Sequence, residues 1–108
     1  MAGIVGSASN TLRRMHEGFD GQKQRRAVTA AEQSLRALGA GSPDKARAGA
    51  AKAADLDQIG IYADFADAVA LLANTLEEGR TIDDAGWDTL VTTLGLGPLS
   101  GLIDELRS

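Results

Sequence analysis

Apolar residues recur along this chain at three- and four-residue steps, in stretches divided by glycine and proline. The longest runs from Gln58 to Glu78. In it Ile59, Tyr62, Phe65, Ala66, Val69, Leu72, Ala73 and Leu76 fall on one side of an α-helix, while Asp64, Asp67 and Asn74 fall off that stripe. Ala63, Ala68 and Ala70 widen the small-residue surface, so neighbouring helices can approach from more than one side. The pattern predicts a central helix over about 58–78, with the other helices packed around it.

Five further helices are expected. Ser9 or Asn10 can cap a short one with Leu12, Met15 and Phe19 on its apolar edge, ahead of an interruption at Gly18, Asp20 and Gly21. From Gln22 the chain places Val28, Ala31, Leu35 and Leu38 on one face and offers Gly39 as a C-terminal cap. An alternative is one longer helix beginning near Ser9. Ser42-Pro43-Asp44 opens an alanine-rich helix whose buried face is Ala46, Ala50, Ala53 and Ala54, ending in Leu56. Beyond Gly79, Thr81 and Asp84 resemble a capping box, and the helix after them presents Ile82, Ala85, Leu90, Val91 and Leu94. Trp87 lies outside that stripe, where it either fills a gap beside the core or stands as an exposed anchor for a partner. A last short helix from Pro98 carries Leu99, Leu102, Ile103 and Leu106 on one edge, suited to a lid over the core or to exchange with a neighbouring molecule.

Composition agrees with this. Hydrophobic residues make up 44% of the 108 residues but aromatics only 4%, so the apolar content rests on alanine and leucine, which favour helices over sheets. The expected fold is all-α: a compact bundle of five or six antiparallel helices over residues 22–108, led by a loosely ordered segment 1–21 with a short helix. Cysteine is absent, which removes disulfides and thiolate metal sites from consideration. No secretory signal and no membrane-spanning run is recognisable, and a cytoplasmic location is expected.

Charge changes the picture more. The net charge is −4. Residues 1–54 hold nine Lys/Arg against four acids, or +5, and residues 55–108 hold two against eleven, or −9. Such a split points to an acidic partner for the first half, a basic partner for the second, self-association that pairs them, or mutual satisfaction within one molecule. Lys23, Arg25 and Arg26 stand in the first turn of their helix, where the helix dipole disfavours cations. With Arg13 and Arg14 they are the candidate contacts to phosphate or to an acidic surface, against the simpler reading of a solvated basic face.

Catalytic chemistry finds little footing. His16 is the single histidine, which excludes a multi-histidine metal site or a His-based triad. The pairs Asp55/Asp57 and Asp64/Asp67 offer fewer oxygens than Mg²⁺ or Ca²⁺ usually takes. The glycines of GLGPLSG are neither followed by lysine nor preceded by a strand, as a phosphate loop requires. No enzyme activity, cofactor or metal is expected.

Residues 41–58 resemble the second helix of a tetratricopeptide repeat. Gly41 precedes the helix, Asp44-Lys45-Ala46 opens it, Ala53 follows Ala46 by two turns, and Leu56-Asp57 closes it. Ala50 stands where the family has a bulky aromatic and Gln58 where it has a closing proline. A second copy from Gly79 through Ala85 is spaced more widely than the ~34-residue repeat. The resemblance implies closely paired helices whose groove takes a peptide or helix. Residues 82–106 resemble a helix-turn-helix, with Leu94-Gly95 before the turn and Pro98-Leu99-Ser100 after it. That family's second helix needs donors for bases and cations for phosphates, whereas this one carries Asp104, Glu105 and a lone Arg107.

These observations lead to one functional expectation: a non-enzymatic protein–protein interaction module, such as an adaptor, assembly subunit or chaperone-like component. Its partner would be another protein or a second copy of itself. The candidate contacts are Arg13, Arg14, Lys23, Arg25, Arg26, Trp87, Leu99, Leu102, Ile103 and Leu106. The alternative is a nucleic-acid-associated regulator that grips phosphates through the basic N-terminal segment.

Overall fold

The computed structural model describes residues 20–95 and 98–107. Over them the chain forms five helices and no strand: α1 (Gly21–Gly39), α2 (Pro43–Leu56), α3 (Ala63–Glu77), α4 (Asp84–Leu94) and α5 (Pro98–Arg107). This is an all-α bundle. Each helix packs on the next in sequence, and α5 returns to α1. The centre expected at residues 58–78 is shared, since α1 touches α2, α3 and α5 while α3 touches α1, α2 and α4. The short helix expected around Leu12–Phe19 lies outside the described residues.

Helix α1 starts at Gly21 because Asp20 stops anything before it. Its backbone is extended (φ −101°, ψ 107°) and its carboxylate accepts from the N–H groups of Gln22 and Lys23 at 2.9 and 3.2 Å. A single helix running on from Ser9 is therefore excluded. The buried face is Gln24, Ala27, Ala30, Ala31, Ser34, Leu35 and Leu38. Val28, expected on that face, is exposed and Ala27 takes its place. The reason lies in the partner. The buried face of α2 is Ala46, Ala50 and Ala53, and two alanine faces gain most by bringing their backbones close.

Close approach has a measurable limit here. A Cβ on Gly49 of α2 would lie 3.0 Å from the carbonyl oxygen of Ala30 and 3.0 Å from the backbone nitrogen of Ser34. Ser34, fully buried, donates its hydroxyl to the carbonyl of Ala46 at 2.7 Å and so pins the two helices in register. At the C-terminus of α1 the left-handed residue is Gly41 (φ 77°), not the expected Gly39. Ser42 N–H bonds to Ala37 C=O and Gly41 N–H to Leu38 C=O, the paired hydrogen bonds of a Schellman cap. Pro43 begins α2 as expected, but the Ser42 hydroxyl makes no capping bond.

Helix α3 begins five residues later than the apolar pattern indicates. Asp57 is the cause: its Oδ1 accepts from Ile59 N–H (3.1 Å) and its Oδ2 from Tyr62 N–H (2.8 Å), folding residues 57–62 into a loop. Gly60 supplies the left-handed backbone that this loop requires (φ 74°). Ile59, predicted on the apolar stripe, is instead 53% exposed. The rest of the stripe holds. Phe65, Val69 and Ala73 are buried, and Tyr62 meets Phe65 edge-to-face with ring centroids 5.8 Å apart.

Helix α4 is capped by Asp83, which accepts from Gly86 N–H at 2.8 Å, rather than by Thr81. Ile82 therefore lies ahead of the helix, and within it Trp87 shares the side of Leu90, Val91 and Leu94, so Trp87 and Leu90 face inward and Ala85 outward. Helix α5 closes the bundle with Leu99, Leu102 and Ile103 buried.

Candidate functional site

Two layers of hydrogen bonds hold the start of α1 against the loop before α3. The Gln58 side-chain amide donates to Asp20 C=O (2.8 Å) and accepts from Asp20 N–H (2.9 Å), copying a rung of backbone pairing. The Gln24 side chain accepts from Gln58 N–H (2.8 Å) and donates to Asp57 Oδ1 (2.9 Å). Asp57, expected as one of a pair of solvated acids, is a structural acceptor for three donors. Partial burial raises its carboxyl pKa, but the Gln24 amide and the N–H groups of Tyr62 and Ile59 outweigh that and hold it below the usual aspartate range. Burial, and next the Asp57 carboxylate, push the Tyr62 phenol above its ordinary value.

With its inner face on α2 and its start clamped, α1 presents its other side to solvent together with the outer side of α2. Between them runs a groove of about 560 Å³. Its floor is Ala37, Ala40, Ala48 and Gly49, and its rim carries Arg36, Lys45 and Lys52. Lys45 and Lys52 are seven residues apart, two turns along one side of α2. On α1, Arg25 and Arg26 prolong the same face: Arg25 stands three turns before Arg36, and Arg26 two turns before Gln33. Both are exposed. Acids on this side are Glu32, engaged by Arg36 at 3.2 Å, Asp44, 3.6 Å from Arg47, and Asp55.

The charge split is therefore only partly resolved within the molecule. Arg47 links α2 to α3 through Glu77 and Asn74, joining the basic half of the chain to the acidic one. Lys23, Arg25, Arg26, Lys45 and Lys52 make no ion pair with a described residue. In the acidic half Asp64 and Asp67 are likewise exposed and without an ion pair to a described residue.

The candidates read from the sequence are dispersed. Arg13 and Arg14 lie outside the described residues. Lys23 is half-buried at the edge of the cationic face and Arg25 and Arg26 belong to it. Trp87, 6% exposed, belongs to the core rather than to an exposed anchor, because it precedes Leu90, Val91 and Leu94 by three, four and seven residues and shares their side of the helix. Leu99, Leu102 and Ile103 are buried against the same core, and Leu106 is half-buried with its side chain against Gly39. Arg107, beside them, bonds to Asp88 at 2.7 Å and reaches Asp84 at 3.1 Å, which raises its pKa and fastens α5 to α4. Lys45, Lys52 and the alanine floor are not among the candidates that the sequence singles out. The seven-residue lysine spacing opposite the alanine face was the available signal.

No group of three or more His, Asp or Glu side chains is arranged to hold a metal among the described residues. No helix there is long and apolar enough to cross a membrane. No protein-family model, curated protein or solved structure matches this chain.

Proposed function

We propose that this chain is a non-enzymatic protein–protein interaction module, an adaptor, assembly subunit or chaperone-like component, whose docking surface is the outer face of the α1–α2 hairpin. The observation that carries the reading is the groove itself. Its floor lacks bulky side chains, so another helix can approach closely, and its rim offers cations that no described acid neutralises except at Arg36. An acidic amphipathic helix fits that surface, with small or branched apolar residues on the floor and carboxylates beside Lys45 and Lys52. The resemblance of residues 41–58 to a tetratricopeptide helix agrees with a helix-binding hairpin. A cytoplasmic site of action belongs to the same proposal and is supported by the lack of cysteine.

The test is binding of a labelled, designed acidic helical peptide, followed by fluorescence anisotropy. Wild-type protein should bind it, and Lys45→Glu together with Lys52→Glu should weaken binding by ~10-fold or more, the scale of like-charge juxtaposition at an interface. Failure to bind the peptide would overturn the reading. The second reading, a nucleic-acid-associated regulator, draws on the exposed Arg25 and Arg26. It requires oligonucleotide binding that falls steeply with salt and is lost when both arginines become glutamate.

A further inference from the structure

We infer that the occupant of the α1–α2 groove is the outer stripe of α3 from a second copy of this chain. The inference rests on the docking surface proposed above and names its partner. The stripe is formed by Asp64, Asp67, Leu71 and Asn74, all exposed and spaced by one helical turn. Leu71 is 68% exposed, the most exposed of the large apolar side chains among the described residues. It stands on the helix that also carries the two free acids.

The two surfaces match in chemistry and in spacing. Leu71 set on the floor at Ala48 and Gly49 places Asp67, one turn away, beside Lys52, which is one turn from Gly49. Asp64 then falls opposite Asp55, with Arg25 and Arg26 across the groove to offset that acid, and Asn74, whose side chain already accepts from Arg47 of its own chain, falls toward Lys45 on the other side. The incoming α3 runs antiparallel to α2. Because groove and stripe lie on different surfaces of one molecule, the contact is head-to-tail and leaves a groove and a stripe free at the two ends of each pair. Assembly then continues beyond a dimer unless the rotation closes a ring.

Size exclusion with light scattering on the full chain tests this. At low salt the mass should exceed the monomer's 11.2 kDa and grow with concentration. At about 1 M salt, where charges are screened within ~3 Å, it should fall back to the monomer. The groove variant K45E/K52E and the stripe variant D64K/D67K should each be monomeric with unchanged helical circular dichroism, since all four positions are exposed. Mixed together they should pair, because the intact stripe of the groove variant meets the intact groove of the stripe variant. A wild-type monomer at low salt, assembly that persists at high salt, or assembly unaffected by either pair of reversals would overturn the inference. A wild-type monomer that still binds the acidic helical peptide through Lys45 and Lys52 would overturn self-docking alone. One that binds neither would remove the docking surface as well.

Discussion

Replacing Asp57 by alanine removes the acceptor around which residues 57–62 are folded. Three donors lose their partner: the Gln24 side-chain amide, the Tyr62 N–H and the Ile59 N–H. Ile59 is exposed and its N–H can turn to water, but the bonds from Gln24 and Tyr62 are part-buried. At about 1 kcal/mol for each part-buried donor, the loss is about 2 kcal/mol. In a domain of this size that lowers the melting midpoint by about 10 °C. Asp57→Asn keeps one acceptor oxygen and turns an amide toward a donor, so it should fall between the two.

The same site gives a pH signature. The folded state holds the Asp57 carboxyl below its ordinary value, so its stabilisation is complete above the unfolded pKa of about 3.9 and is lost as pH falls through the folded one. Urea titrations followed by circular dichroism should therefore show a constant gap between wild type and Asp57→Ala from neutral pH down to about 4, and a closing gap below it. A gap under about 0.5 kcal/mol at neutral pH would refute the reasoning, because such a value is ordinary for surface positions without a structural role. So would a gap that stays open in acid.

Two other outcomes follow from the packing. Gly49→Ala should destabilise by about 1 kcal/mol, since overpacking against the α1 backbone, typically about 1–3 kcal/mol, outweighs the roughly 1 kcal/mol that alanine gains over glycine in a helix; a raised melting midpoint would count against it. Trp87→Ala should cost about 3–5 kcal/mol, and in the wild type the emission of this sole tryptophan should be blue-shifted and resist acrylamide until the chain unfolds.

Most of the helices are visible in the sequence because alanine and leucine carry a three-to-four-residue period and glycine or proline marks their ends. Pro43 and Gly79 stand where that reading puts them, with Gly79 left-handed (φ 80°) after α3. The late start of α3 has a local cause: a side chain that competes with the backbone for hydrogen bonds. Asp57 takes the N–H groups of Ile59 and Tyr62, and a continuous apolar run becomes loop followed by helix. Asp83 caps α4 two residues beyond Thr81, which leaves Ile82 ahead of the helix, and Trp87 takes the side it shares with Leu90, Val91 and Leu94. The cationic half of the surface was legible as composition. Its groove was not, because the floor is drawn from both helices and exists only in the register that Ser34 and Gly49 impose.

The return of α5 to α1 bears on the order in which the bundle forms. Contacts between successive helices close short loops and cost little chain entropy, so that part of the molecule can assemble rapidly by local steps. The seat of Leu106 against Gly39 joins positions separated by most of the chain, and a methyl group on Gly39 would come within 2.9 Å of the leucine side chain. Closing it costs more chain entropy than any contact between successive helices. Hydrogen exchange in the native state should therefore show the amides of α5 exchanging ahead of those in α1 and α2.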